Sequence, residues 1–191
     1  MAKKTRNSPQ DAPKIIMAEE MQPEEILVSC EAGIITSSDK GYVGEREDKS
    51  GPLIQEIVEK ENYKVVDYRV IPDEQALTEQ TLITLCDDLK VDLVLTTGGT
   101  GFSMRDRTPE ATLAVADRLA PGISEAIRAY SMQFTNRAML SRGTSVIRGA
   151  TLIINLPGSP KAVKESLDCI MPALGHGLQI LKGSATECAR S

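Results

Sequence analysis

The sequence predicts one α/β domain, a three-layer α/β/α sandwich around a largely parallel sheet. Three observations point there. Apolar stretches of strand length alternate with amphipathic stretches of helix length, the pattern of a parallel sheet covered by helices. The stretch from Val91 to Thr97 is apolar on both faces, as a strand buried between two helical layers must be. The chain has 191 residues, 41% hydrophobic and 26% charged, which suits a single soluble domain.

Residues 1–24 open basic at Lys3, Lys4 and Arg6, turn acidic at Glu19 and Glu20, and carry Pro9, Pro13 and Pro23. A flexible N-terminal extension is expected there, with an arm packed on a neighbouring subunit as the alternative. The folded domain is expected over 25–183, with a short tail over 184–191. Ile26 to Thr36 reads as the first strand, Glu31 marking a bulge or a later start and Gly33 to Thr36 its firmest part. A polar loop over 37–49 follows. Ser50-Gly51-Pro52 then starts a helix with Leu53, Ile54, Ile57 and Val58 on one face. Tyr63 to Ile71 is the second strand, ended by Pro72-Asp73, and Asp73 is placed to cap a helix carrying Leu82, Leu85, Cys86 and Leu89. Val91 to Thr97 is the third strand.

Thr108-Pro109-Glu110 reads as an N-cap followed by proline, opening a helix with Leu113, Ala116 and Leu119 inward. Pro121-Gly122 punctuates the chain, and Ile123, Ala126, Ile127, Tyr130 and Phe134 line the next helix. Two short strands are expected at Ser145 to Arg148 and Thr151 to Leu156. Ser159-Pro160 starts a last helix with Val163, Leu167, Ile170, Leu174, Leu178 and Leu181 in register, kinked or broken at Pro172. The sequence contains no internal repeat.

Composition excludes several chemistries. The formal net charge of −5 gives no global basic footprint for nucleic-acid binding. A single histidine, His176, excludes zinc sites that need two and disfavours a Ser-His-Asp triad. Cys30, Cys86, Cys169 and Cys188 form no C-x-x-C pair and suit a reducing compartment. No apolar run approaches the ~20 residues of a membrane span and no secretory h-region opens the chain, so a cytoplasmic location and no membrane partner are expected.

Ligands of open α/β sheets bind beyond the carboxyl ends of the strands. Each loop there carries an aspartate: Ser37-Ser38-Asp39 after the first strand, Pro72-Asp73-Glu74 after the second, and Gly98-Gly99-Thr100-Gly101 with Arg105-Asp106 after the third. The glycine loop is neither a Walker A loop nor a complete dinucleotide fingerprint. Three glycines in four residues let backbone N–H groups turn inward as an anion nest and let a ligand approach the main chain. Thr108 and Ser159, as caps of proline-started helices, are expected to add positive helix ends to the same rim.

Thr96-Thr97-Gly98-Gly99-Thr100-Gly101-Phe102-Ser103-Met104-Arg105-Asp106, continued by Thr108-Pro109-Glu110-Ala111-Thr112, is similar to the signature of the molybdopterin adenylyltransferase family. These are the MogA- and MoaB-type proteins of molybdenum cofactor biosynthesis, also found as the G domain of gephyrin and of its plant counterpart. The resemblance runs from about Gly33 to Gly183, through Ser37-Ser38-Asp39, Asp48-Lys49-Ser50-Gly51, Ile71-Pro72-Asp73-Glu74, Met139-Leu140-Ser141-Arg142 and Ile153-Ile154-Asn155-Leu156-Pro157-Gly158-Ser159-Pro160. It implies a molybdopterin-binding-like fold and a homotrimeric, cytoplasmic enzyme. That enzyme transfers AMP from Mg-ATP to the terminal phosphate of molybdopterin and releases pyrophosphate. The resemblance places the catalytic aspartates on Asp73 and Asp106 and a substrate-site serine on Ser141. It assigns substrate contacts to Ser37, Ser38, Asp39, the glycine loop, Arg105, Arg142, Pro157, Gly158 and Ser159. The downstream molybdate-inserting enzyme is the candidate protein partner. Met104 departs from the proline common at that position, which would loosen the loop that holds Arg105 and Asp106.

The chemistry fits this residue inventory. A phosphate monoester nucleophile, with its second pKa near ~6, needs no general base, so a scarcity of histidine is no obstacle. The task is to bring one anion onto the α-phosphorus of another, which calls for positioning, Mg²⁺ and preorganised donors. Mg²⁺ commonly takes one or two protein carboxylates with phosphate oxygens and water, the role expected of Asp73 and Asp106, and Lys49, Arg105 and Arg142 are candidate phosphate partners. The readings from other classes are a non-catalytic module that holds molybdopterin or a protein partner, and a pyrophosphatase related to CinA-like proteins. Both aspartates argue against the first, and the Arg105-Asp106-x-Thr108-Pro109-Glu110 continuation against the second.

Overall fold

The apolar stretches assemble into one six-stranded sheet in the computed structural model, which describes residues 30–183. The expected extension over 1–24, the part of the first strand before Cys30 and the tail over 184–191 lie outside the described residues. The strands are β1 (Glu31–Ser37), β2 (Lys64–Ile71), β3 (Leu93–Thr97), β4 (Arg118–Leu119), β5 (Ser145–Arg148) and β6 (Thr151–Leu156), in the order β2-β1-β3-β6-β5-β4. The first four positions in that order run parallel, and β5 is antiparallel to both neighbours. The sheet is thus largely parallel, as expected. Glu31 begins β1 and the register slips between Ala32 and Gly33.

Helices cover both faces: α1 (Asp39–Tyr42), α2 (Ser50–Lys60), α3 (Gln75–Ile83, prolonged by a π turn at Thr84–Asp88), α4 (Thr108–Ala114), α5 (Pro121–Ser131) and α6 (Pro160–Leu181), with a 3₁₀ turn at Asn136–Leu140. Alternation in the strands sorts the core into two layers. Ile34, Leu93, Leu95, Ile154 and Leu156 meet Ile54 and Val58 of α2, Ile127 of α5, and Val163, Leu167, Ile170, Leu174 and Leu178 of α6. On the other face, Ile35, Val94 and Ile153 meet Leu82, Leu85, Cys86 and Val115. α2 and α6 therefore stand on one side of the sheet and α3 on the other.

Several expectations need correction. The loop after β1 contains α1, whose N-cap Ser38 accepts from the Gly41 N–H at 3.0 Å. Leu89 is exposed because the π turn adds a residue to the helical phase, its N–H reaching Thr84 O at 3.0 Å. α4 turns Ala111, Thr112 and Val115 inward and leaves Leu113 exposed. Leu119 lies outside that helix, on edge strand β4, which forms by pairing with β5. Phe134 lies beyond the end of α5, half exposed and edge-on to Tyr130. α6 runs unbroken through Pro172. That proline is on the exposed side, where water can satisfy the carbonyl it deprives of a partner.

Candidate active site at the carboxyl edge of the sheet

The loops after β1, β2 and β3 meet the starts of α2 and α6 around a cleft of about 770 Å³. Its lining includes Thr36, Ser37, Ser38, Asp73, Gly98, Gly99 and Asp106 from the strand ends. Arg46 to Ser50 and Gly158 to Pro160 complete it from the helix starts. Asp73 and Asp106, far apart in sequence, thus share one cleft. Asp39 stands behind Asp73 rather than on the lining.

Asp73 does not cap α3. The N-cap is Glu74, which makes no side-chain capping bond, and the Asp73 carboxylate is turned toward β1. It accepts from the Ser37 hydroxyl at 2.9 Å and from the Asp39 N–H at 2.9 Å. Asp39 reciprocates, its carboxylate accepting from the Asp73 N–H at 3.0 Å. Arg105 closes the cluster: Nε and Nη2 donate to the two Asp39 oxygens at 3.0 and 2.8 Å, and Nη1 donates to Glu74 Oε1 at 3.0 Å. The guanidinium and the Asp73 N–H hold the Asp39 carboxyl below its ordinary value, and the Asp39 and Glu74 carboxylates push Arg105 upward. Arg105 is therefore an inter-loop clasp in this state, with its donors spent on carboxylates.

Gly98 and Gly99 both have left-handed backbone, φ +90° and +62°. A Cβ on Gly98 would collide with the Ser37 carbonyl, and one on Gly99 with the Thr108 hydroxyl, so the close approach requires glycine at both. Beyond them Thr100 and Gly101 leave the cleft. Asp106 Oδ2 accepts from the Ser103 N–H at 2.9 Å, and the Asp106 N–H donates to Ser103 O at 3.0 Å. Arg142 lies off the main cleft: Nε donates to Gly101 O at 2.7 Å, and Nη1 and Nη2 reach Glu110 and the Asp106 carbonyl. A smaller cleft of about 370 Å³ on the far side of Asp106 is lined by Phe102, Ser103, Met104, Arg107 and Arg142 as well. Met104 is 90% exposed there.

Thr108 is the first residue of α4, and its buried hydroxyl makes no hydrogen bond, so it does not cap the helix. Ser159 does cap α6, accepting from the Ala162 N–H at 3.3 Å. The Pro157 carbonyl accepts from Thr97 Oγ1 at 2.6 Å, which ties the two loops together. Ser141 lies outside the cleft lining at the end of the 3₁₀ turn, accepting from the Gly143 N–H at 3.3 Å. Lys49 is on the lining, its ammonium 3.6 Å from Glu47 and 69% exposed.

Asp48 was missed as a site residue. One oxygen accepts from the N–H groups of Ser50 and Gly51 at 2.8 and 3.1 Å, and the other from the Tyr68 hydroxyl at 2.6 Å. Burial works against its charge but is outweighed by these donors, which leave the carboxyl below its ordinary value. Burial and the bond to Asp48 push Tyr68 up to about 12. Ser50 Oγ also donates to Gly158 O at 3.0 Å. The readable signal was the acidic residue two places before a Ser-Gly-Pro helix start. Among the described residues no group of three or more His, Cys, Asp or Glu could hold a metal by itself, and no helix is long and apolar enough to cross a membrane. Two cleft carboxylates nonetheless fit a cation that takes most of its ligands from phosphate and water.

A family profile described as "Probable molybdopterin binding domain" matches residues 33–176. The molybdopterin adenylyltransferase of Escherichia coli K12 is 44% identical over 171 residues, covering 82% of this chain and 88% of that protein. Gephyrin of Dictyostelium discoideum is 40% identical over 173 residues, covering 83% of this chain and 24% of that longer protein. The crystal structure of the molybdopterin biosynthesis enzyme MoaB from Thermus thermophilus superposes with a TM-score of 0.77 at 44% identity, over 81% of this chain and 97% of that one.

Proposed function

Because the chain belongs to the family of molybdopterin-binding domains, we propose that it works as a molybdopterin adenylyltransferase of molybdenum cofactor biosynthesis. It joins AMP from ATP to the terminal phosphate of molybdopterin and releases pyrophosphate. The observation that carries this reading is the placement of Asp73 and Asp106 on one cleft with the glycine loop and the starts of α2 and α6. That lining offers carboxylates to a cation and N–H and cationic donors to phosphates.

A phosphate oxygen of molybdopterin attacks the α-phosphorus of ATP. The bond from that phosphorus to the α–β bridging oxygen breaks, and pyrophosphate leaves with the electron pair. The attacking oxygen is already deprotonated near neutral pH, so no side chain has to remove a proton. Asp73 and Asp106 are the residues that would hold Mg²⁺, which supplies charge neutralisation to the triphosphate. Ser37 and Asp39 orient the Asp73 carboxylate through its two oxygens. Gly98 and Gly99 let the substrate reach the main chain, and Lys49, Arg46 and Ser159 meet phosphate oxygens. A cytoplasmic homotrimer, handing adenylylated molybdopterin to a molybdate-inserting enzyme, completes the reading.

Incubation of the purified protein with molybdopterin, ATP and Mg²⁺ tests it. Stoichiometric pyrophosphate and an adenylated pterin are expected. Pterin binding without pyrophosphate would overturn the reading in favour of a non-catalytic module.

A further inference from the structure

We propose that Arg142 is a positioning residue that sets the loop bearing Asp106, rather than a partner of substrate phosphates; this rests on the reading of Asp106 as catalytic. Between β3 and α4 the chain has no helix or strand, and it holds itself by few bonds of its own. They are the Ser103–Asp106 pair, the Arg105 N–H donating to Ser103 Oγ at 3.3 Å and the Thr108 N–H donating to Gly99 O at 3.2 Å. Arg142 supplies much of the rest from a segment remote in sequence. Its N–H donates to Thr100 O at 2.9 Å, Nε to Gly101 O at 2.7 Å, and Nη2 to the carbonyl of Asp106 itself. Nη1 pairs with Glu110 in the first turn of α4. One planar guanidinium thus spans three points: the end of the glycine loop, the main chain of Asp106 and the helix that follows.

Glu110 anchors that span. Burial opposes its charge, and the Arg142 ion pair outweighs burial, so its carboxyl lies below the ordinary value. The Asp106 carboxylate is aimed through the Ser103 N–H, so displacement of the loop main chain turns the carboxylate with it. A lysine at 142 keeps the charge but reaches one point instead of three, because the guanidinium fork is lost.

The test uses the whole chain with Arg142→Lys, Asp106→Asn and both together. Pyrophosphate release and amide exchange at Ser103 by NMR are read in parallel. Arg142→Lys is expected to lower kcat by about 10-fold or more with the KM for ATP nearly unchanged, and to add no further loss in the Asp106→Asn background, as for two residues acting through one. It should also speed Ser103 exchange by about 10-fold while the amides of β1 and β3 stay protected. Losses that multiply, a raised KM with kcat held, or unchanged Ser103 exchange would each overturn the proposal. If Arg142→Lys fails to fold, Glu110→Gln removes the anchor and should shift kcat and Ser103 exchange in the same directions, less strongly. Absence of those shifts overturns the proposal. Normal turnover in Asp106→Asn alone would sink the catalytic reading of Asp106, with the Ser103 exchange still deciding what Arg142 does to the loop.

Discussion

The carboxylate side of the cleft comes from the loops that lead into α3 and α4, the donor side from the starts of α2 and α6. On the carboxylate side Asp73 and Asp106 line the space while Asp39 and Glu74 stand behind; among the described residues Arg105 is the arginine paired with carboxylates of that group, and it is engaged by Asp39 and Glu74. The Asp73 and Asp106 carboxylates accept from hydroxyl and backbone N–H donors and, among the described residues, from no arginine or lysine. On the donor side Asp48 gathers the first N–H groups of α2 and the Tyr68 hydroxyl, so its charge is used structurally. Lys49 is tied only to an exposed Glu47 at 3.6 Å, a pair of little energetic weight. The difference teaches that acidic residues do opposite jobs within one cleft: the Asp73 and Asp106 carboxylates stand on the lining without a cationic partner among the described residues, and Asp48 fixes the start of α2.

Breaking the glycine turn on the carboxylate side should have the largest effect. Gly99→Val places a β-branched side chain at φ +62° against Thr108, so ATP and pterin binding should both fall by about 100-fold or more by titration calorimetry. Removing a donor should sharpen the comparison at intermediate cost. Lys49→Ala is expected to raise the KM for ATP by roughly 5- to 10-fold with kcat nearly held, about 1 kcal/mol of phosphate binding, as steady-state kinetics would read. The smallest effect is on the clasp. The Asp39 carboxyl is held low by Arg105 and the Asp73 N–H, so the stability it contributes is present above the ordinary aspartate value of about 3.9 and is lost as pH falls through the folded value. Asp39→Asn should therefore melt below the wild type at neutral pH, with the gap closing in acid; a gap that persists or widens in acid would refute the clasp.

Elements whose own residues fix them were legible in the sequence. β5 and β6 have the bounds that their apolar runs announce, and α2 and α6 begin at their Ser-Gly-Pro and Ser-Pro signals. Elements fixed by a distant partner were not. β4 is two exposed residues made a strand by Val146 and Ile147 across from it, and Leu89 left the core through a π turn that no residue type marks. In the site, three aspartates at successive strand ends could be read as neighbours from the topology rule. The reciprocal bonds from the N–H of each of Asp39 and Asp73 to the carboxylate of the other could not, because any N-terminal aspartate reads as a helix cap. The bonds of Arg105 and Arg142 were hidden for the same reason: a sequence shows a charge but not which carboxylates and carbonyls engage it.

The central claim is that the carboxylate side drives turnover while the main chain around it holds the ligand, and Asp106→Asn tests it most directly. The substitution keeps the side chain's shape and removes its charge. Pterin binding measured by calorimetry should stay close to wild type, while pyrophosphate release at saturating Mg-ATP should fall by at least ~100-fold, equivalent to about 2.7 kcal/mol of transition-state stabilisation. Near-normal pyrophosphate release from Asp106→Asn would contradict the account.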